Sequence, residues 1–250
     1  EDFWPGPLTM IFPRKQNVPS ETCGGLDTAA VRMPDNDFTR RLIDRCGFPL
    51  AAPSANTSGL PSPTSAAHVY ADMNGKIPMI ADGGECSCGV ESTVICFDND
   101  RIRVLRPGAV TPEMLREYAE VIVDNGVLKQ LSPDEKVMSP GMKYKHYSPS
   151  AEVFVLNGNN EQILDFIKNK DIESGTIAVL CDGIDFPEET RVLPYGRTSE
   201  EQAENLFSSL RKADELGCRE VYVKIPDTNG IGLAVYNRLL RAAGFRVIEL

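Results

Sequence analysis

Val221-Tyr222-Val223-Lys224-Ile225, a helical stretch at 231–243 and then Phe245-Arg246-Val247-Ile248 form the passage on which the fold reading turns. A short β-branched run reads as a strand. Leu233, Tyr236, Leu239, Leu240 and Ala243 recur at helical spacing, and a second strand follows. The same rhythm runs upstream. Val153-Phe154-Val155-Leu156 is a strand, 160–168 a helix, Ile177-Ala178-Val179-Leu180 a strand, and 199–216 a helix with Ala203, Leu206, Phe207, Leu210 and Ala213 on one face. Strands alternating with helices pack as parallel βαβ units. Residues 151–250 are therefore expected to form a small open-sheet, Rossmann-like α/β domain. Gly230-Ile231-Gly232 is too short for a nucleotide loop and reads better as a tight turn into the last helix.

Before residue 124 the pattern is less regular. Short apolar runs at Leu8–Phe12, Ala29–Val31, Met79–Ala81, Thr93–Phe97 and Ile102–Leu105 read as strands, and so does the run at 49–52. Helices are expected at 36–46, at 64–74 behind a Thr64/Ser65 cap, and after Thr111-Pro112-Glu113, where cap, N1 proline and first-turn acid coincide. Residues 1–123 thus form a mixed α/β domain rich in loops. Residues 124–150 are a linker, whose segment Ser139-Pro140-Gly141-Met142-Lys143-Tyr144-Lys145-His146-Tyr147-Ser148-Pro149 is too rich in aromatic and basic residues for a plain spacer. Either its tyrosines pack on a domain or it reaches into a site; the density of Lys, Tyr and His favours the second.

Composition narrows the function. The 250 residues hold 26 Lys and Arg against 36 Asp and Glu, a net charge of −10. Nonspecific nucleic-acid binding, which neutralises phosphates with basic side chains, is a poor expectation for such a chain. No apolar run approaches the ~18 residues of a membrane span. The seven cysteines are scattered without C-x-x-C spacing. The Cys86-Ser87-Cys88 pair lacks a second pair or a neighbouring His, so reduced thiols are the preferred reading over a metal site.

Four loops carry candidate chemistry. Arg32 follows a short strand and precedes Met33-Pro34, where a rigid guanidinium fork suits carboxylate or phosphate, or else a surface ion pair. Pro53-Ser54-Ala55-Asn56-Thr57-Ser58-Gly59 offers small side chains and backbone N–H groups to an anion. Gly83–Val94 leads through Glu91-Ser92-Thr93 into a strand, and Arg106-Pro107-Gly108 ends another. Two strand-end arginines and two hydroxyl-rich loops suit a ligand with both carboxylate and phosphate. There is no P-loop, no G-x-G-x-x-G, no H-E-x-x-H and no nucleophilic triad.

Taken in order, Phe3-Trp4-Pro5-Gly6-Pro7-Leu8-Thr9, Ala30-Val31-Arg32-Met33-Pro34, Ala52-Pro53-Ser54-Ala55-Asn56, Gly89–Val94, Arg106-Pro107-Gly108 and the Ser139–Pro149 block resemble the threonylcarbamoyl-AMP synthases of YrdC-like fold, in their long two-domain form. The resemblance implies a YrdC-like twisted mixed-sheet domain followed by the small α/β domain. It also implies a cytoplasmic nucleotidyltransferase that makes threonylcarbamoyl-AMP and pyrophosphate from L-threonine, bicarbonate and ATP, with Mg²⁺ entering with ATP. The product would pass to the machinery that modifies tRNA with threonylcarbamoyladenosine. On this likeness Arg32, Ala52 and Ser92 line the threonine site. Thr28, Ser54, Asn56, Ser62, Arg106 and Tyr144 line the ATP site, and Lys143, His146 and Tyr147 form a linker lid. No protein-held metal is expected. Family members also carry an upstream segment with a Lys-x-Arg pair that grips the triphosphate. The chain thus reads as N-terminally incomplete and is expected to be weak or inactive alone. The other readings are an RNA-binding or regulatory module of the same fold, with weak RNA affinity and no catalysis, and a carbamoyltransferase-type relative.

Overall fold

The computed structural model describes residues 2–130, 146–170 and 176–250. In chain order the elements are β1 (Leu8–Pro13), β2 (Thr28–Val31), α1 (Asp37–Cys46), α2 (Ala66–Met73), β3 (Thr93–Asp98), β4 (Arg101–Arg106), α3 (Pro112–Leu115) and β5 (Glu120–Val123). They are followed by β6 (Glu152–Asn157), α4 (Asn160–Lys168), β7 (Ile177–Leu180), β8 (Arg191–Val192), α5 (Ser199–Glu215), β9 (Glu220–Lys224), α6 (Gly232–Ala243) and β10 (Val247–Glu249). The chain divides into two compact units. One holds residues 2–54 and 91–130; the other holds residues 55–90 together with the described residues from 146 onward. Residues 55–90, which precede the linker, thus cluster with the C-terminal sheet.

In the first unit a five-stranded sheet runs in the order β2-β1-β3-β4-β5. It is mixed: β1 pairs antiparallel with β2 and parallel with β3, β3 antiparallel with β4, and β4 parallel with β5. Central β3 reads Thr93-Val94-Ile95-Cys96, and all four residues are buried, as a strand covered on both faces requires. Leu8, Ile95, Ile102, Val104, Val110 and Leu115 pack on one face, while Ile11, Val94, Cys96 and Leu105 pack on the other. Asn36 caps α1 through the Thr39 amide, and Gly47 closes it at φ 69°, yet the helix buries none of its side chains.

The second unit is built around the sheet β10-β6-β9-β7-β8, with every pairing parallel. Side chains alternate between two apolar layers. Val153, Val155, Ala178, Leu180, Val221 and Val223 face α5 and α6. Leu156, Ile177, Val179 and Tyr222 face Ile163 and Ile167 of α4. Capping boxes open both α4 (Asn159 with Gln162) and α5 (Thr198 with Glu201). At the start of α6 a Cβ on Gly232 would lie 2.0 Å from the Asp227 carbonyl oxygen, so only glycine permits this turn. The Gly230-Ile231-Gly232 segment is thus the tight turn its length suggested.

Several expectations need correction. Met79–Ala81 and the apolar run at 49–52 form no strand. Pro49, Pro53 and Pro78 remove ladder donors and stiffen both segments, and Met79 stands 76% exposed. The helix signalled at Thr111 is a single turn; the chain then enters β5, where Val121 to Val123 pair with β4. Two-residue β8 is too short for any periodicity to reveal. The mixed α/β first domain and the parallel Rossmann-like second sheet are as expected.

Candidate functional site

The polar residues of the first unit gather where β1 and β3 begin and β4 ends. Because β3 and β4 are antiparallel, Ser92 and Arg106 fall at the same edge. Arg106 donates through Nε to the Ser92 carbonyl (3.1 Å) and through Nη2 to Ser92 Oγ (3.2 Å). Ser92 Oγ also lies 2.7 Å from Thr9 Oγ1. One hydroxyl is therefore held between a second hydroxyl and a guanidinium. Its backing is rigid: the Thr93 amide donates to the Pro7 carbonyl (2.9 Å), and fully buried Thr93 donates through Oγ1 to the Val110 carbonyl (2.7 Å). A Cβ on Gly108 would come within 2.5 Å of the Thr93 amide, so the Arg106-Pro107-Gly108 turn can hug β3 only as glycine.

Arg32 lies one residue past the Met10–Val31 pair, which places it beside Thr9 at the β1–β2 edge. It is exposed and makes no hydrogen bond or ion pair within the described residues, leaving its fork available to an anion. Thr28 begins β2, half-buried, and Ala52 and Ser54 lie exposed on the irregular segment between α1 and α2. Thr9 was not singled out from sequence as a site residue. The signal available was the two-residue alternation of β1, which sets Thr9 beside the start of β3.

Asn56, Ser62, His146 and Tyr147 fall in the C-terminal unit. Asn56 donates through Nδ2 to the carbonyls of Thr57 (3.0 Å) and Leu60 (3.1 Å), and its buried Oδ1 lacks a partner within the described residues. Ser62 is buried. The loop carrying them is fastened by the Ser148 amide donating to the Gly59 carbonyl (2.8 Å). Buried Tyr147 adopts φ 63° and lies against Phe207 (ring centroids 5.2 Å apart), with His146 edge-on to it at 4.7 Å. The end of the linker is thus packed into the C-terminal core. Lys143 and Tyr144 lie outside the described residues.

A hollow of about 340 Å³ opens among Ala55, Ser65, Val69, Ile80, Gly84 and Cys86 of the same unit, and none of the expected site residues lines it. Burial pushes the Cys86 thiol above its usual range, which disfavours the thiolate a nucleophile needs. All seven cysteines are free. Among the described residues, no group of three or more His, Cys, Asp or Glu side chains could hold a metal. None of their helices is long and apolar enough to cross a membrane.

Comparison with known proteins adds independent findings. Residues 1–108 match the family model described as "Telomere recombination", and residues 110–244 match that described as "Threonylcarbamoyl-AMP synthase, C-terminal domain". A threonylcarbamoyl-AMP synthase from Pyrococcus abyssi is 42% identical over 99% of this chain and 73% of its own length. One from Bacillus subtilis is 41% identical over 99% of this chain and 72% of its own. The crystal structure of P. abyssi Sua5 complexed with L-threonine superposes with a TM-score of 0.89 at 41% identity, covering all of this chain and 74% of that one.

Proposed function

The chain belongs to the threonylcarbamoyl-AMP synthase family, and we propose that it joins L-threonine, bicarbonate and ATP into threonylcarbamoyl-AMP with release of pyrophosphate. The observation that carries this reading is the Ser92 hydroxyl held by Thr9 and Arg106, within a fold that matches a threonine complex along the whole chain. In chemical terms, the threonine nitrogen bonds to the bicarbonate carbon as a C–O bond breaks and water leaves, giving a carbamate. A carbamate oxygen then forms a bond to the ATP α-phosphorus as the bond to pyrophosphate breaks. Catalysis of such a step rests on positioning and on fixed positive charge.

In this reading each site residue has a role. Arg32, with its fork free of partners among the described residues, takes the threonine carboxylate. Ser92 and the small Ala52 side chain shape the threonine side. A charge-assisted contact of this kind contributes ~1.5–3 kcal/mol. Arg106 places positive charge where the α-phosphate accepts the carbamate. Thr28, Ser54, Asn56, Ser62 and Tyr144 supply hydroxyl and amide contacts to the nucleotide. Mg²⁺ would enter with ATP, held by the ATP phosphates and water. Consumption of the product by tRNA modification, in the cytoplasm where ATP and tRNA meet, completes the proposal.

Calorimetric titration with L-threonine, followed by a pyrophosphate-release assay with all three substrates, tests it. The expected result is saturable threonine binding that Arg32→Ala weakens, with release that requires threonine. No threonine binding, or binding indifferent to Arg32→Ala, would sink the assignment.

A further inference from the structure

Within the C-terminal unit, α5 reaches the loop that bears Asn56 and Ser62 through one buried ion pair. Arg211 is 9% exposed and Asp72 of α2 is 9% exposed. Arg211 donates through Nη1 to Asp72 Oδ1 (3.1 Å) and through Nη2 to Asp72 Oδ2 (2.8 Å), a two-pronged contact. The same Nη2 donates to the Pro61 carbonyl at 2.6 Å. Asp72 Oδ2 in turn accepts from the Thr57 amide at 3.1 Å. The two side chains therefore hold both ends of residues 57–61. Asn56 precedes the first anchored position and Ser62 follows the second. The Arg211 contact holds the Asp72 carboxyl below its ordinary range, so the carboxylate stays ionised near neutral pH.

A loop held only by its own hydrogen bonds would sample many arrangements. Here a fixed guanidinium fork on a 17-residue helix sets the spacing between the two residues flanking the anchors. We propose that Arg211, acting with Asp72, is a positioning residue for ATP: it fixes the 57–61 segment so that Asn56 and Ser62 meet the nucleotide together. The proposal rests on the assignment of Asn56 and Ser62 to the nucleotide side. It gives the C-terminal sheet a role in substrate binding without any direct contact to substrate. Lysine reproduces it only in part, because a single ammonium lacks the planar fork that meets both Asp72 oxygens.

Titration of ATP and of L-threonine into the protein and its Arg211→Met, Arg211→Lys and Asn56→Ala variants tests this. Arg211→Met is expected to raise the ATP Kd about tenfold or more, with a smaller rise in Arg211→Lys. The threonine Kd should stay within about twofold, because Arg32, Ala52 and Ser92 belong to the other compact unit. An unchanged ATP Kd in Arg211→Met, with Asn56→Ala weakening ATP, overturns the positioning role and leaves the nucleotide assignment standing. An unchanged ATP Kd in Asn56→Ala overturns the assignment and the proposal with it. If Arg211→Met loses its near-UV circular dichroism, Arg211→Lys decides. Faster hydrogen exchange at the Thr57 amide with weaker ATP binding supports the proposal, and unchanged exchange with unchanged binding refutes it.

Discussion

The two sheets of this protein solve the same packing problem in different ways. The C-terminal sheet is parallel, sandwiched between α4 on one face and α5 and α6 on the other; Leu206, Phe207 and Leu210 reach zero exposure, and Arg238 is enclosed too. The first sheet is mixed, its apolar clusters are small, and α1 leaves Phe38 and Leu42 at 57% and 44% exposure. The thinly covered sheet is nevertheless the one that carries Ser92, Thr9, Arg32 and Arg106 at one edge. A site needs strand ends and loops open to ligand, whereas a fully sandwiched sheet spends its residues on packing. Of the two sheets, the densely packed one thus carries most of the buried core, and the thinly covered one carries the Ser92–Thr9–Arg106 cluster.

Substitutions can break or sharpen that contrast. The largest effect is expected from Phe207→Ala, which empties a fully buried position and should cost the C-terminal unit ~3–5 kcal/mol in urea unfolding. Threonine binding should survive wherever the first unit stays folded. Arg32→Ala should do the reverse, lowering threonine affinity by about 10- to 100-fold, the equivalent of one charge-assisted contact, with no shift in the denaturation midpoint. Thr93→Val bridges the two kinds of effect. It keeps the shape and removes the bond to the Val110 carbonyl, at ~1–2 kcal/mol of stability, and should loosen Ser92 enough to weaken threonine binding. Thr198→Ala, which removes the α5 capping box, should cost ~1 kcal/mol with unaltered threonine affinity. A last effect is read in its pH dependence and concerns Asp72, whose buried pair with Arg211 is intact at neutral pH. Its carboxyl is lowered in the folded state from 3.8, so the stability it contributes is complete above that value and is lost as pH falls through the lower folded value. Asp72→Asn should therefore flatten the acid limb of the stability–pH curve. An acid limb identical to that of the parent protein would show that other carboxylates govern it.

Much of the fold was legible because its signals are local. The Ser65 and Thr111 caps, the helical spacing of Leu206 and Leu210, and the strand–helix alternation after residue 150 all act over a few residues. The same local logic placed Arg32, Ser92 and Arg106 at strand ends. It failed where an apolar run found no partner. Met79–Ala81 has the composition of a strand, but Pro78 before it removes a ladder donor, and no strand among the described residues pairs with it. It also failed at β5, where a strong helix start supports one turn before β4 recruits the next residues.

The sequence by itself determined the strand–helix alternation after residue 150, the Ser65 and Thr111 caps, the acidic composition, and the ordered motifs that name the family. Tertiary structure alone decided which of those motifs meet. Thr9 joins Ser92 across 83 residues, and Asp72 joins Arg211 across 139. It also gave residues 55–90 to the C-terminal unit, although they precede the linker. Caps and periodicities are read within a turn or two of chain. A buried guanidinium and its carboxylate find one another only once the apolar layers around them have excluded water, and no local pattern records that event.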